Sequence, residues 1–261
     1  MLSNAEYVGK ATLNASKSPQ DTFSLAFNII SKLFDKKTYN SASRKVLINQ
    51  IYFTAIQILP LFLSVSAVIG FLLTGIVLHT LKELGLAEYL GRIIMGFVVT
   101  ELAPFITVLL LALRSSSAMN AEIATMKVNK ELHTLEAFNI DVIRYLFIPR
   151  ALAGVISVVL LSGIFSIVVL ATGFASSKLI FGMSLDAYAN LLLNSAKISD
   201  IIILIIKCST FGFFITLIPI RSGLNASDEI TSIPVAVLNG MVKVFIAIIV
   251  IEVLTLIARF I

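Results

Sequence analysis

Charge is scarce in this chain: Asp, Glu, Lys and Arg make up 13% of its 261 residues, about half the roughly 25% of an ordinary soluble domain. Hydrophobic residues account for 58%, and the mean hydropathy is +0.99. One globular core of this length cannot bury so much apolar surface, so lipid must solvate much of the chain. A soluble enzyme is excluded. Cysteine is almost missing as well, and the single Cys208 permits neither an intrachain disulfide nor a cysteine-based metal cluster. The sequence holds no Walker A phosphate-binding motif, no HExxH and no GxSxG. His79 and His133 fall on opposite sides of the membrane in the topology below, so they cannot share a metal or catalytic site. No internal repeat or low-complexity tract divides the chain. The first fifty residues are polar and mixed, unlike the short apolar core of a signal peptide.

What is present is a series of long apolar runs. Val46 to Leu81 carries no Asp, Glu, Lys or Arg, more than the ~20 residues a spanning helix needs. It predicts a first transmembrane helix over about 51–78. Further spans are expected over 93–113, interrupted by Glu101; 151–177, just after Pro149; 200–220, containing Lys207; and 235–260, containing Lys243 and Glu252. A proline at Pro149 suits the first turn of a helix. The expected fold class is therefore an all-α membrane protein with five transmembrane helices.

Five spans put the termini on opposite sides. Thirteen Lys and Arg residues fall on the N-terminal side, from Lys10 to Arg221; the other side holds five, Lys82, Arg92, Lys178, Lys197 and Arg259. By the positive-inside rule the N-terminus is cytoplasmic and the C-terminus lies outside. The same scatter argues against nucleic acid, because the net charge of +5 is strung between apolar spans and not gathered on one face.

Two segments outside the spans are amphipathic. Phe23, Phe27, Ile30 and Phe34 recur at helical spacing, with Lys32, Asp35, Lys36 and Lys37 around the other side. This predicts an interfacial helix over about 18–48, on the cytoplasmic surface. Residues 114–148 contain neither glycine nor proline and are rich in helix formers, so a cytoplasmic helix over 119–137 is expected. Ala121, Ala124, Val128, Leu132 and Leu135 can share a face of it. Such a helix either packs on its own bundle or docks a soluble partner, and the pattern alone does not choose. Ser115 to Ser117, beside Arg114, fit capping residues better than a reactive cluster.

Glu101, Lys207 and Glu252 each lie about eight residues from the outer end of their spans, roughly 12 Å deep and in one layer. Ionisable groups at that depth cost about 2.5–3.5 kcal/mol each on insertion scales, so they face a bundle interior or a wet cavity. Lys207 and Glu252 are expected to form an intramembrane ion pair. Glu101 is a candidate for the outer part of a substrate pathway. Lys243, nearer the cytoplasmic end, can snorkel.

The run from Thr100 to Ser157 resembles the signature region of the MlaE/YrbE family, the permease subunits of ABC transporters that work with MCE-domain lipid-binding proteins. The resemblance rests on Glu101-Leu102 with Pro104, Arg114 with Ser117-Ala118, Ala121-Glu122-Ile123, Met126, Glu131, Leu135-Glu136, Asp141 and Pro149-Arg150. Gln50, Tyr52, Pro60, Gly70, Gly75 and Gly85 stand at family-like spacings upstream. The chain departs from the pattern at Ser116 and Ala103, where the family usually has glycine, at Val142, where it usually has proline, and in the loop 221–234.

The resemblance implies a phospholipid-moving permease, multi-pass in a bacterial inner (plasma) membrane. It would be a homodimer, bound by an ABC ATPase subunit inside and an MCE-domain protein on the outer side, with a STAS-domain protein as a further candidate partner. The chain itself would carry no cofactor and no enzymatic activity; ATP and Mg would be bound by the ATPase. It further implies that 119–137 is the coupling helix, with Glu122, Met126, Lys127, Lys130, Glu131, Leu135 and Glu136 facing the ATPase. In a homodimer the small-residue stripe Ser66, Gly70 and Thr74, with Leu61, Val65, Ile69 and Leu73, could border a cavity for a diacyl lipid; the alternative is packing within one subunit. Two other functions stay open: an ion-coupled secondary transporter with Glu101, Lys207 and Glu252 as its relay, and a membrane scaffold without a pocket.

Overall fold

The computed structural model describes residues 24–33, 35, 38 and 41–260. Among the described residues, five helical runs are long and apolar enough to cross a membrane: Ser41–Glu83, Ala87–Val128, Ile143–Phe181, Ile198–Leu224 and Ser232–Arg259. This is an all-α, multi-pass membrane protein. Numbered along the chain, α1 is Ser24–Leu33, α2 Ser41–Ile51, α3 Leu59–Glu83, α4 Leu90–Ile93, α5 Ala103–Leu111, α6 Ser117–Val128, α7 Glu131–Ala137, α8 Ile148–Phe181, α9 Leu185–Leu193, α10 Ile198–Leu224 and α11 Ser232–Phe260.

The first three spans are segmented by wide π-helical turns, and proline explains most of them. Tyr52–Ile56, Ile94–Leu102 and Ile143–Phe147 are π-helical, and Pro60, Pro104 and Pro149 stand at the start of the α-helix that follows each. A proline lacks the N–H that would bond four residues back, and the chain accommodates it by widening the preceding turn. A fourth wide turn, Ala112–Ser116, has no proline of its own.

The core is built around α8, with α3 on one side and α10 on the other, while α11 packs on α10. α8 and α10 touch backbone to backbone. A Cβ on Gly212 would fall 2.5 Å from Val155 Cα, and one on Gly154 would fall 2.8 Å from the Gly212 carbonyl oxygen. Small residues at such crossings are the usual way apolar helices gain packing in lipid. At the end opposite α6, α9 packs on α4 and α8, started by Ser184, whose hydroxyl accepts from the Ala187 N–H at 3.3 Å. Tyr188 O–H donates to the Leu170 carbonyl at 3.2 Å, and burial pushes its phenol up to about 12.

The two amphipathic segments differ from the sequence expectation in continuity. The single helix expected over about 18–48 is two, α1 and α2, and α2 runs on into the first span. Of its apolar stripe, Phe27 and Ile30 are exposed while Ile29 is buried in one cluster with Leu132, Val142 and Leu146. Phe23, Phe34, Lys36 and Lys37 lie outside the described residues. The helix expected over 119–137 breaks at Lys130, which adopts a left-handed φ of 60°. That break costs of order 1 kcal/mol, but it folds Leu132 back onto the apolar cluster containing Met119 and Ile123.

Candidate functional site

At the end of the bundle away from α6, the intramembrane charges meet in one place. Lys207 of α10 donates to both Glu101 and Glu252, reaching Glu252 Oε1 at 2.9 Å. Arg259 of α11 reaches Glu101 Oε1 at 2.6 Å, Thr100 Oγ1 at 2.5 Å and the Gly96 carbonyl at 2.7 Å. Its other terminal nitrogen stands 3.6 Å from Asp200 Oδ1. The side chains of Lys207 and Glu101 are 1% and 7% exposed. Glu101 is therefore bonded inside a five-residue cluster joining the second, fourth and fifth spans, instead of standing apart from the Lys207–Glu252 pair. Charges so buried hold only because every one is countered nearby. Sequence reasoning missed Arg259 and Asp200, although the signal was there: Arg259 lies seven residues after Glu252 and Asp200 seven before Lys207, two helical turns along the same faces.

The small-residue stripe of the first span is spent inside the chain. Ser66, Gly70 and Thr74 are buried, and Gly70 and Thr74 meet α8: a Cβ on Gly70 would fall 2.6 Å from Val169 Cα, and one on Gly173 would fall 2.5 Å from Thr74 Oγ1. A larger residue at Gly70 would separate two helices and so cannot probe a pocket alone. Leu61 is exposed, and Val65, Ile69 and Leu73 are half-buried.

At the other end, α6 is tied to three spans by polar contacts. Ser116 Oγ donates to the Ile215 carbonyl of α10 at 2.7 Å. This is the carbonyl that Pro219, four residues on, cannot bond. The wide turn at Ala112–Ser116 thus lies beside a backbone acceptor left open by a proline on another helix. Asn120 Nδ2 and Ser222 Oγ both donate to the Ala236 carbonyl of α11, at 3.1 and 2.8 Å. Lys127 Nζ donates to the Ala226 carbonyl, and Arg150, at the start of α8, pairs with Glu122 at 2.5 Å.

Of the residues assigned to coupling, Glu122 and Lys127 are therefore engaged within the chain. Met126 and Leu135 are half-buried against the cluster around Ile123 and Leu146. Lys130, Glu131 and Glu136 remain exposed, with Asn129 Nδ2 donating to Glu131 Oε1 at 3.1 Å. Phe138 and Ile140, two exposed apolar residues in the loop after α7, were not singled out from the sequence. α1 is strapped to that loop by Lys32–Asp141 at 2.6 Å and by Arg144–Asp35 at 2.7 Å. Burial raises the Asp141 carboxyl, but the Lys32 hydrogen bond, the Arg144 N–H, the Lys32 charge and the Ile143 N–H outweigh it, holding the group below the usual carboxylate range.

The family model described as "Permease MlaE" matches residues 47–258, nearly the whole membrane region. The chain belongs to the MlaE permease family. It is 31% identical over 183 residues to the intermembrane phospholipid transport system permease protein MlaE of Haemophilus influenzae, covering 68% of this chain and 69% of that one. A probable ABC transporter permease protein of Synechocystis is 24% identical over 226 residues, 85% of this chain and 86% of its own. A probable ABC transporter permease protein of Rickettsia typhi is 27% identical over 228 residues, 85% of each chain. The MlaE permease described here thus aligns with these transporter subunits over most of its length.

Proposed function

We propose that this MlaE permease moves phospholipid, or a similar diacyl molecule, between the inner membrane and the cell envelope, driven by a separate ABC ATPase subunit that binds ATP and Mg. The reading that fits is a homodimer in a bacterial inner membrane, N-terminus cytoplasmic and C-terminus periplasmic, with an MCE-domain protein on the outer face and a STAS-domain protein as a further candidate. The observation that carries it is the mechanical seating of α6. Within one chain α6 is fixed to α8 by Arg150–Glu122, to α10 through Ser116 and to α11 through Asn120. A force applied to α6 and α7 from outside is thereby delivered to three spans at once, which is what a permease without a phosphate-binding loop requires.

Contact with the ATPase falls to the side chains that the fold leaves exposed, Lys130, Glu131 and Glu136, beside the half-buried Met126 and Leu135. Glu122 and Lys127 act in this reading by fixing α6 in place. Leu61, Val65, Ile69 and Leu73 remain the apolar candidates of the first span for contact with acyl chains. The ion-coupled alternative has less support, since Glu101, Lys207 and Glu252 satisfy one another within the chain.

The test is co-purification. Reversing the exposed charges together (Lys130→Glu, Glu131→Lys, Glu136→Lys) should leave the permease folded but release the ATPase and stop ATP-driven lipid exchange in proteoliposomes. Undiminished association and exchange would remove α7 from the coupling path.

A further inference from the structure

The positive-inside rule makes cations rare on the outer side of this permease, which holds five Lys and Arg residues. Three of the five, Arg92, Lys197 and Arg259, line a single cavity of about 480 Å³ between the start of the second span, the start of α10 and the end of α11. Asp200 is the one carboxylate among the lining residues. Among the described residues neither Arg92 nor Lys197 forms an ion pair. Arg259 turns one terminal nitrogen inward to Glu101 and Thr100, while the other reaches Asp200 only at 3.6 Å, longer than a hydrogen bond. Asn194 and Ser195 add polar groups to the wall.

The cup sets three cations against Asp200, and with Arg259 already countered by Glu101 the excess is one positive charge, leaving Arg92 and Lys197 to meet an anion. Its surroundings say which kind. The sequence neighbours of the lining residues, Phe97, Leu193, Ile198 and Ile201, are exposed by 52%, 71%, 79% and 59%. A cationic cup whose lining residues stand next in sequence to bare apolar side chains, at the end of three spans, suits an amphiphile whose phosphate sits in the cup and whose chains lie along the helices.

We propose that this cup binds the phosphate of an anionic glycerophospholipid headgroup, held by Arg92, Lys197 and the outer nitrogen of Arg259. The assignment rests on the phospholipid reading above and names a place for the head. Through Arg259 an occupied cup is joined to Glu101, Lys207 and Glu252, so headgroup binding bears directly on the contacts that hold three spans together.

The experiment uses the full-length permease in detergent, offered equal amounts of phosphatidylglycerol and phosphatidylcholine and read by native mass spectrometry. Wild type should retain phosphatidylglycerol in preference by about tenfold or more, because both lipids offer the same phosphodiester but the positive cup repels the choline cation of phosphatidylcholine. The double variant Arg92→Gln/Lys197→Gln should bind the two lipids equally; both side chains are exposed, so the fold is not at stake, and an unchanged unfolding midpoint checks this. A double variant that keeps the wild-type preference overturns the proposal while leaving the phospholipid reading intact. Wild type that retains no phospholipid overturns both. Inorganic phosphate at equal concentration should leave the lipid bound; if it displaces phosphatidylglycerol, the cup is a site for free phosphate and the lipid assignment fails.

Discussion

Lys207→Met is the sharpest test of how this membrane bundle is held together. The lysine is 1% exposed and donates to both Glu101 and Glu252. Methionine keeps the length and removes the charge, leaving two carboxylates, 7% and 16% exposed, with only Arg259 still facing Glu101. Breaking a buried ion pair by deleting one partner costs about 3–5 kcal/mol, chiefly because the surviving charge stays buried. That lowers the folded-to-unfolded ratio by roughly a hundredfold to a few thousandfold. The companion variant Lys207→Met/Glu101→Gln/Glu252→Gln removes the three innermost charges together and should recover at least half the loss, since replacing buried charges by neutral groups of like volume is often near neutral, and Arg259, 23% exposed, still has Asp200 at 3.6 Å. The assay is unfolding of the purified full-length protein by SDS titration in mixed micelles, followed by circular dichroism. If Lys207→Met unfolds with the wild type, or the triple variant is no more stable than the single one, the cluster does not work as a mutually dependent unit. Transport in the triple variant adds a second reading: stability restored without lipid exchange would assign these charges a part in the transport cycle as well as in the fold.

Three further outcomes follow from local geometry. Ser116→Ala should destabilise by about 1–3 kcal/mol by orphaning the Ile215 carbonyl, and Pro219→Ala in the same background should restore most of it by supplying the missing N–H; an additive second loss would disprove the link. Gly212→Ala should sharply reduce folded yield, because its Cβ would sit 2.5 Å from Val155 Cα, whereas Gly163→Ala, with nothing within 4 Å, should be neutral or stabilising; equal yields would contradict the close crossing of α8 and α10. Asp141 titrates below its usual 3.8 in the folded protein, so its contribution to holding α1 is complete above that value and is lost as pH falls through the lower folded one. Protease cleavage in the α1–α2 connection should therefore be flat from pH 8 to pH 5, and Asp141→Asn should raise it modestly at neutral pH, since pairs this exposed are worth less than about 1 kcal/mol; a rise between pH 7 and 5 would mean another group holds the strap.

Composition and run length alone determined that this is an all-α membrane protein with five spans, because uninterrupted apolar runs of about 20 residues satisfy their backbone in lipid as helices, whereas barrel strands are about ten residues long and alternate in polarity. The sequence also placed three charges in one layer at similar depth, since rise per residue is fixed. Which helix faces each charge is a matter of packing between segments distant along the chain, so only the tertiary structure could bring Glu101 into the same cluster as Lys207 and draw in Arg259 and Asp200. The stripe of Ser66, Gly70 and Thr74 shows the same divide: its spacing announces a close approach, but whether the approaching surface is α8 or a ligand depends on what stands opposite. Helix formers without glycine or proline likewise made 119–137 helical, while the break at Lys130, which accompanies the burial of Leu132 against a distant cluster, was visible only in the tertiary structure. Local pattern is set by bonds within a few residues of one another, and partners are chosen by packing that spans a hundred or more.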